Sequence, residues 1–315
     1  MPFDPVIPFE PVSTEQIPVG DRWIAQVKWD GVRVLTYSDG RDVRLFNRKR
    51  HERTMQYPEL SDVARYCRAK SVILDGEIIA LSDGKPSFHE VMKRDSLRKP
   101  QNIAAMVRHV PVTYMIFDML YLDGRWVTGL PLEKRQRLLQ ETVDQDERIQ
   151  LVQNVSDPAA LFAVTRAHDL EGIVCKHLDS LYAIGGKDPR WRKKKHFKDL
   201  LAVVGGVTLR HGTVNALLLG LYDKNGDLVY IGHAGTGKLT VADWRAVTER
   251  VSALATGQRP FRNRPVRDKD AIWVKPELTV KVRFMGWTPD GSIRQPTIQG
   301  FVDAPASACT FGQTP

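Results

Sequence analysis

Lys28 lies two residues before an Asp-Gly pair, in the segment KWDGVR at positions 28–33. A lysine amine is a nucleophile only when neutral, and at an ordinary pKa near 10.4 fewer than about one lysine in a thousand is neutral at pH 7.4. Nearby cations lower such a pKa, and a change of about three units needs roughly 4 kcal/mol. The spacing indicates a lysine that forms a covalent bond to a nucleotide, with cations supplied by Arg33, Lys193 and Lys195. A surface lysine before an Asp-Gly turn is the common alternative.

The chain of 315 residues is basic, because 46 lysines and arginines exceed 37 aspartates and glutamates to give a net charge of +9. Such a surplus favours an anionic partner such as nucleic acid. Against the single acid Asp188, one stretch contains seven basic residues: Lys187, Arg190, Arg192, Lys193, Lys194, Lys195 and Lys198. A second stretch contains Arg259, Arg262, Arg264 and Arg267. We expect both to contact a nucleic-acid backbone, although a solvated surface explains the second stretch equally well.

Cysteine content and hydropathy bear on the compartment. The odd number of cysteines and the lack of a CxxC pair argue against disulfides and structural zinc, so we expect reduced, buried thiols at Cys67, Cys175 and Cys309. No stretch approaches the roughly 18 apolar residues that a membrane span needs. The N-terminus lacks the basic start and apolar run of a secretory signal, and prolines at positions 2, 5, 8 and 11 indicate an extended strap. We expect a cytoplasmic monomer without a membrane partner.

The first two thirds of the sequence mix strands with helices. Apolar alternation predicts strands on both sides of the Asp39-Gly40 turn and over residues 72–81, 112–122 and 171–178. Proline and capping signals predict helices over residues 58–70, 86–93, 131–143 and 158–170. Hairpins between some of the strands favour an α+β domain over a strictly alternating parallel one. Lys28 then stands at a strand end.

Beyond the first basic stretch the pattern changes to short strands. It predicts one helix, over residues 241–254, and strands over residues 200–209, 216–222, 228–231 and 273–284. About five strands around one helix are typical of a small β-barrel of the OB type. The boundary is predicted near residues 193–200, which divides the chain into domains at 1–196 and 197–315.

Six segments, in order along the chain, resemble a known family. Residues 26–33, QVKWDGVR, are similar to the nucleotidyl-lysine motif of the ATP-dependent DNA ligases. Five further segments resemble the later motifs of that family: FNR at 46–48, LDGE at 74–77, YMIFD at 114–118, EGIVCK at 171–176 and WRKKK at 191–195. The resemblance is strongest for the bacterial end-joining type, meaning the ligase domain of ligase D and its stand-alone relative ligase C. WVKPEL at 273–278 is also typical of that type, so the resemblance spans nearly the whole chain.

This resemblance implies an α+β nucleotidyltransferase (adenylation) domain with antiparallel sheets and flanking helices, followed by an OB-fold domain. It implies a DNA ligase that seals 5′-phosphate/3′-hydroxyl breaks in duplex DNA through lysyl-AMP and a DNA-adenylate. The implied cofactors are ATP and Mg²⁺ or Mn²⁺. The implied partners are nicked or broken duplex DNA and repair or end-joining proteins, and the second domain is expected to swing about the segment at 195–200.

The resemblance also implies residue roles. The catalytic residues would be Lys28, Asp30, Lys193 and Lys195. The ATP-binding residues would be Gln26, Val27, Lys28, Arg33, Arg48, Glu77, Phe117, Lys176, Lys193 and Lys195. The metal would be bound by Glu171 and Glu77. Within this set Phe117 would stack on adenine, Arg33 and Glu77 would hold the ribose or a phosphate, and the paired lysines would reach the α-phosphate.

Two departures from the family pattern affect the first step. Gln26 replaces the usual glutamate two residues before the nucleophile; its amide can accept a bond from the adenine amino group but adds no charge. Val302 replaces an arginine that is thought to orient the leaving pyrophosphate, so we expect a less efficient first step. The candidate substitutes for that arginine are Arg294 and Lys281.

Other functions share some of these features. An RNA ligase or a capping guanylyltransferase would share the Lys28 chemistry, whereas a catalytically impaired nucleic-acid-binding relative would lack it. Residues 232–239, GHAGTGKL, approach a P-loop, but Leu239 replaces the hydroxyl that should bind Mg²⁺. An NAD-dependent ligase is disfavoured by the short segment before Lys28 and by the lack of a four-cysteine module. We expect a minimal ligase that grips DNA through its two basic stretches.

Overall fold

The computed structural model describes residues 4–235, 237–266 and 268–313. The chain divides into two compact units, with the boundary between His196 and Phe197. Three residues that entered the sequence expectations, Pro2, Thr236 and Arg267, lie outside the described residues. No helix in the described ranges is long and apolar enough to cross a membrane.

The first unit contains two sheets and several helices. Its strands are β1 (Glu10–Ser13), β2 (Trp23–Val27), β3 (Val32–Ser38), β4 (Val43–Asn47), β5 (Val72–Ser82), β6 (Lys85–Pro86), β7 (Val112–Leu122), β8 (Arg125–Trp126), β9 (Ile149–Leu151), β10 (Gly172–His177) and β11 (Lys187–Lys195). Its α-helices are α1 (Phe88–Asp95), α2 (Pro100–His109), α3 (Leu132–Thr142) and α4 (Pro158–Ala167). The larger sheet has the order β4-β3-β5-β7-β8, with β6 beside β5 and β9 beside β7, and the smaller has the order β1-β11-β10-β2. All pairs are antiparallel except β1 with β11 and β7 with β9.

Both faces of the larger sheet are buried, each against its own core. Side chains alternate between the two faces along a strand, so one strand contributes to both cores. Val34 and Ile116 pack into the core on one face. Leu35 packs into the core on the other face, together with Trp191 of β11 and Ile24 of β2. The smaller sheet therefore covers the second face of the larger one, and side chains of both sheets meet between them.

Most predicted elements of this unit are present within three residues of their expected bounds. The helix predicted over residues 58–70 is wrong. Short 3-10 turns replace it, at Thr54–Gln56, Pro58–Leu60 and Val63–Arg65. Its buried side chains recur every three residues, which is the period of a 3-10 turn and not of an α-helix: Tyr57, Leu60, Val63 and Tyr66.

The second unit is β-rich with one α-helix in its described part. Its strands are β12 (Lys198–Arg210), β13 (Thr213–Tyr222), β14 (Leu228–Ala234), β15 (Ala255–Thr256), β16 (Ala271–Phe284) and β17 (Thr297–Val302), and its helix is α5 (Val241–Leu254). The six strands form one antiparallel sheet, in the order β14-β13-β12-β16-β15 with β17 beside β16. Helix α5 has the predicted bounds and begins at a capping box between Thr240 and Asp243. All three cysteines of the chain are buried and unpaired, as predicted.

Candidate active site

Lys28 directly follows the last residue of β2, and its backbone N–H donates to Gly172 O at 2.9 Å. Its Nζ donates a hydrogen bond to Glu171 Oε2 at 2.6 Å. The other carboxylate oxygen, Oε1, lies 2.8 Å from the Nζ of Lys195 on β11. One carboxylate thus holds two lysine amines, and the Lys28 side chain is only 22% exposed.

Lys193 adds a third cation to this group. It lies two residues before Lys195, on the same face of β11. Partial burial, followed by the charges of Lys195 and Lys28, lowers its pKa. The structure thus brings together the three lysines that the sequence indicated.

The two carboxyl groups of the site, Glu77 and Glu171, differ in charge. Burial raises the pKa of Glu77 to about 8, which outweighs the lowering effect of Lys28 and Arg33, and the charge of Glu171 raises it further. Burial also acts to raise the pKa of Glu171, but its two lysine partners bring that pKa below its ordinary value. At neutral pH Glu77 is therefore largely protonated and Glu171 is ionised. The lysines then face the Glu171 carboxylate, with Glu10 also acting on Lys193, and this cluster of amines suits a phosphate chain.

Two glycines allow the close backbone approaches that bring these groups together. A Cβ on Gly31 would lie 2.2 Å from the carbonyl oxygen of Ile78, so the turn after Lys28 can rest on β5 only with glycine there. Gly172 has φ +142°, and a Cβ on it would lie 2.2 Å from the carbonyl oxygen of Lys194. The second approach joins β10 to β11 at the point where Glu171 meets Lys195.

Arg33 occupies a different position from the one expected. Its Nε and Nη2 donate to the two oxygens of Asp75 at 2.9 and 2.6 Å, and its Nη1 donates to Phe9 O at 2.8 Å. Its guanidinium carbon lies 5.2 Å from the centre of the Phe117 ring. The guanidinium is thus committed to Asp75 and to support of Phe117, and not to a ribose or phosphate position.

Lys176 is buried, with its Nζ between two aromatic rings. The Nζ lies 4.4 Å from the ring centre of Phe117 and 4.0 Å from that of Trp191. Burial lowers its pKa to about 7, against the raising effect of Asp118 and Asp75. Within the described chain it has no hydrogen-bond partner. It therefore lies next to the Phe117 ring, and its contacts here are with aromatic rings.

Gln26 is buried and joins a chain of amide side chains that the sequence did not reveal. Its Nε2 donates to Asn154 Oδ1 at 2.7 Å. Asn154 in turn contacts Gln136. These two residues lie far from Gln26 in sequence and belong to no motif, so no local pattern marks them.

Three further predicted residues lie at the margins of the site. Val27 is half-buried on β2, and Asp30 is half-buried in the turn that Gly31 permits. Arg48 follows β4; its Nη1 lies 3.3 Å from Glu10 Oε1, and its side chain is 58% exposed. Arg48 is therefore a solvent-facing cation.

A divalent metal fits this donor set as a partner of a nucleotide. In the part of the chain that the structure describes, no cluster of three or more His, Cys, Asp or Glu side chains could hold a metal ion. Glu171 and Glu77 supply two carboxyl groups within one electrostatic neighbourhood. Mg²⁺ commonly takes one or two carboxylates together with waters and substrate phosphates. Glu171 offers one carboxylate at neutral pH, and Glu77 offers a second once it loses its proton.

Two arginines of the second basic stretch pair with acids. Arg262 pairs with Asp223 at 2.7 Å, and Arg264 pairs with Asp268 at 2.6 Å. Arg259 donates to the Phe261 carbonyl. These arginines have partners within their own unit, and this reduces the free charge that the sequence suggested for DNA binding.

Comparison with known proteins decides the family. The model of the ATP dependent DNA ligase domain matches residues 12–195, and that of the ATP dependent DNA ligase C terminal region matches residues 210–303. This chain belongs to the ATP-dependent DNA ligases. The enzyme class predicted from the sequence is thereby confirmed.

Relatives of this ligase include the multifunctional non-homologous end joining DNA repair protein LigD of Mycobacterium tuberculosis (strain H37Rv). It is 34% identical over 89% of this chain and 36% of its own length. A probable DNA ligase of Streptomyces coelicolor is 33% identical over 90% of this chain and 56% of its own length. The chain thus spans less than two thirds of either relative.

A solved structure of mycobacterial DNA ligase D complexed with ATP and MES is 32% identical and matches with a TM-score of 0.54. The match covers 98% of this chain and 99% of that one. The predicted resemblance to the end-joining type is confirmed. The predicted fold class, an α+β adenylation domain followed by an OB-type domain, is confirmed as well.

Proposed function

We propose that this ligase seals 5′-phosphate/3′-hydroxyl breaks in duplex DNA, with ATP as adenylyl donor and Lys28 as the covalent carrier. The observation that supports this most is the Glu171 carboxylate held between Lys28 and Lys195, with Lys193 beside them. Carrying AMP as a phosphoramidate divides one difficult reaction into easier steps. It also stores the activation until a break is bound.

In the first step the Lys28 amine attacks the α-phosphorus of ATP. An N–P bond forms while the P–O bond to pyrophosphate breaks. Glu171 Oε2 already accepts a hydrogen bond from this amine and is placed to receive its proton. Lys193 and Lys195 stabilise the negative charge on the transferring group. Asp30 belongs to the turn after Lys28, and we assign it to orienting the amine.

Adenosine binds beside the phosphate site in this proposal. Phe117 stacks on adenine, which contributes about 1–3 kcal/mol by analogy with base-stacking platforms. Gln26 accepts a hydrogen bond from the adenine amino group, and Val27 lines the same strand. Arg48 is exposed, and we assign it to the sugar or phosphates. Glu77 carries the ribose contact.

Arg33 and Lys176 act through Phe117 and not on the nucleotide directly. Both cations lie at the ring of Phe117, at 5.2 and 4.4 Å from its centre. Arg33 is further fixed by Asp75. We assign both to holding the stacking ring in position.

Glu171 and Glu77 are the residues that would hold Mg²⁺ or Mn²⁺. When bound, such an ion neutralises charge on the phosphates of ATP. The lysines alone hold Glu171 ionised, so this ligand is available at neutral pH without further deprotonation.

In the next two steps AMP passes from Lys28 to the 5′-phosphate of the break, and the 3′-hydroxyl then displaces AMP. The basic stretch Lys187–Lys198 supplies cations for the DNA backbone. By likeness to the LigD relatives, we propose that a monomer acts in end joining with other repair proteins.

Sealing of a labelled nicked duplex tests this function. The purified chain with ATP and Mg²⁺ should convert a nicked DNA strand to full length, and an all-RNA nick should be a poorer substrate. Lys28→Ala should abolish the product. Lys93→Ala is the control, because its exposed Nζ pairs with Glu90 within α1 and Lys93 belongs to neither the lysine cluster nor the basic stretch; it should seal at a rate close to wild type. Equal sealing by the Lys28→Ala protein would refute the proposal.

A further inference from the structure

Three amide side chains, beginning with that of Gln26, form a hydrogen-bonded series that ends at the backbone of Phe117. Gln26 Nε2 donates to Asn154 Oδ1 at 2.7 Å, and Asn154 Nδ2 donates to Gln136 Oε1 at 3.0 Å. Gln136 Nε2 then donates to Phe117 O at 2.7 Å. We call this chain the amide relay. It links the two residues that the proposed function places on the adenine base.

The direction of the relay follows from its last member. A backbone carbonyl can only accept, so Gln136 must turn its NH₂ toward Phe117 O and its oxygen toward Asn154. Asn154 must then present its NH₂ to that oxygen and its own oxygen to Gln26. Gln26 must in turn donate to Asn154. Its remaining polar atom, Oε1, can only accept.

The surroundings hold these side chains in register. Gln136 is buried on α3, and Gln26 is 2% exposed. Asn154 is exposed, but its neighbour Val155 exchanges two backbone hydrogen bonds with Ala25, at 2.8 and 2.9 Å. No described residue donates to Gln26 Oε1. This oxygen is thus an oriented acceptor without a partner among the described residues.

We infer that the amide relay makes Asn154 and Gln136 specificity-determining residues that select a 6-amino purine over a 6-oxo purine. The inference rests on the proposed function, in which Gln26 faces the base. An amide that could rotate freely would donate to a 6-oxo group as readily as it accepts from a 6-amino group. The amide relay fixes the Gln26 oxygen as the atom that faces the base, so the side chain cannot rotate to donate. The neutral glutamine then selects a 6-amino purine in the same way as a carboxylate, which has acceptors only.

Comparison of ATP with inosine triphosphate tests this inference, because the latter carries a 6-oxo group. Formation of the lysyl-nucleotide is measured as kcat/KM in separate reactions. The wild type should prefer ATP by about a hundredfold or more. Asn154→Leu removes the acceptor that orients Gln26, and the preference should fall at least about tenfold. Asn154→Asp keeps an acceptor there, so the preference should be retained.

A double variant separates polarity from general structural damage. Gln26→Glu has only acceptors and no longer needs the relay. In that background Asn154→Leu should leave the ATP preference unchanged, whereas a merely structural role of Asn154 would lower it in both backgrounds. An unchanged preference in the Asn154→Leu single variant would overturn the inference. If that variant does not fold, Gln136→Leu gives the same test from the other end of the relay.

Binding measurements keep this result distinct from failure of the proposed function. Lys28→Ala protein cannot form the adduct, but its affinity for each nucleotide can be measured by calorimetry. No adduct in wild type with either nucleotide would refute the proposed function. If the Lys28→Ala protein binds ATP more tightly than inosine triphosphate and an added Asn154→Leu change removes that preference, the relay is supported. Equal affinity of the Lys28→Ala protein for both nucleotides would overturn the inference.

Discussion

Glu77 should make the stability of the protein depend on pH in an unusual direction. Its pKa rises from an ordinary 4.5 to about 8 in the folded chain, mainly because of burial. The folded state therefore holds a proton that the unfolded chain releases between these two pH values. The stability that Glu77 contributes through this proton is complete below about pH 4.5 and is lost as the pH rises to about 8. At 1.36 kcal/mol per pKa unit, the loss is at most about 5 kcal/mol, and smaller because Glu77 keeps some solvent contact.

Glu77→Gln removes this titration while preserving the shape of the protonated side chain. At pH 5 the variant and the wild type should have similar free energies of unfolding in urea. At pH 8.5 the variant should be the more stable of the two, by several kcal/mol. Glu133→Gln is the control, since Glu133 forms an exposed pair with Arg22 and its loss should change stability by under about 1 kcal/mol. Parallel pH profiles for the Glu77→Gln protein and the wild type would refute the buried, protonated Glu77.

Three further changes test other parts of the site. Gly31→Ala should cost roughly 2 kcal/mol or more and abolish adduct formation, because its Cβ would meet the Ile78 carbonyl at 2.2 Å; a melting temperature equal to wild type would contradict the packing. Lys193→Ala should lower adduct formation at least about a hundredfold, while Lys194→Ala should not, and equal rates would remove Lys193 from the site. Sealing should also fall steeply between about 50 and 200 mM salt, and a flat profile would argue against backbone binding through the basic stretch.

Much of the site could be predicted from sequence because its residues lie in short, ordered segments. Lys28, Glu171 and Lys195 stand at strand ends or along one strand face, where spacing alone determines direction. The role of Arg33 could not be predicted, because its partner Asp75 is 42 residues away and only the pairing of β3 with β5 brings them together. Asn154 was missed for the same reason, since 128 residues separate it from Gln26.

The errors in the fold have local causes. Helix α2 was missed although Pro100 stands at its start and Ile103, Met106 and Val107 recur at helical spacing. The segment at 58–70 begins with a proline and contains regularly spaced apolar residues, which suggested an α-helix. The decisive feature was the period of three in these buried side chains, and it becomes meaningful only when burial is known.

The mass of the intact protein tests the central claim most directly. After incubation with ATP and Mg²⁺, the chain should gain the mass of one adenylyl group. Peptide mapping should place that group on Lys28, and added pyrophosphate should remove it. A Lys28→Arg protein should gain nothing. An adduct on another residue, or efficient sealing of nicks by a protein that never carries AMP, would contradict the account.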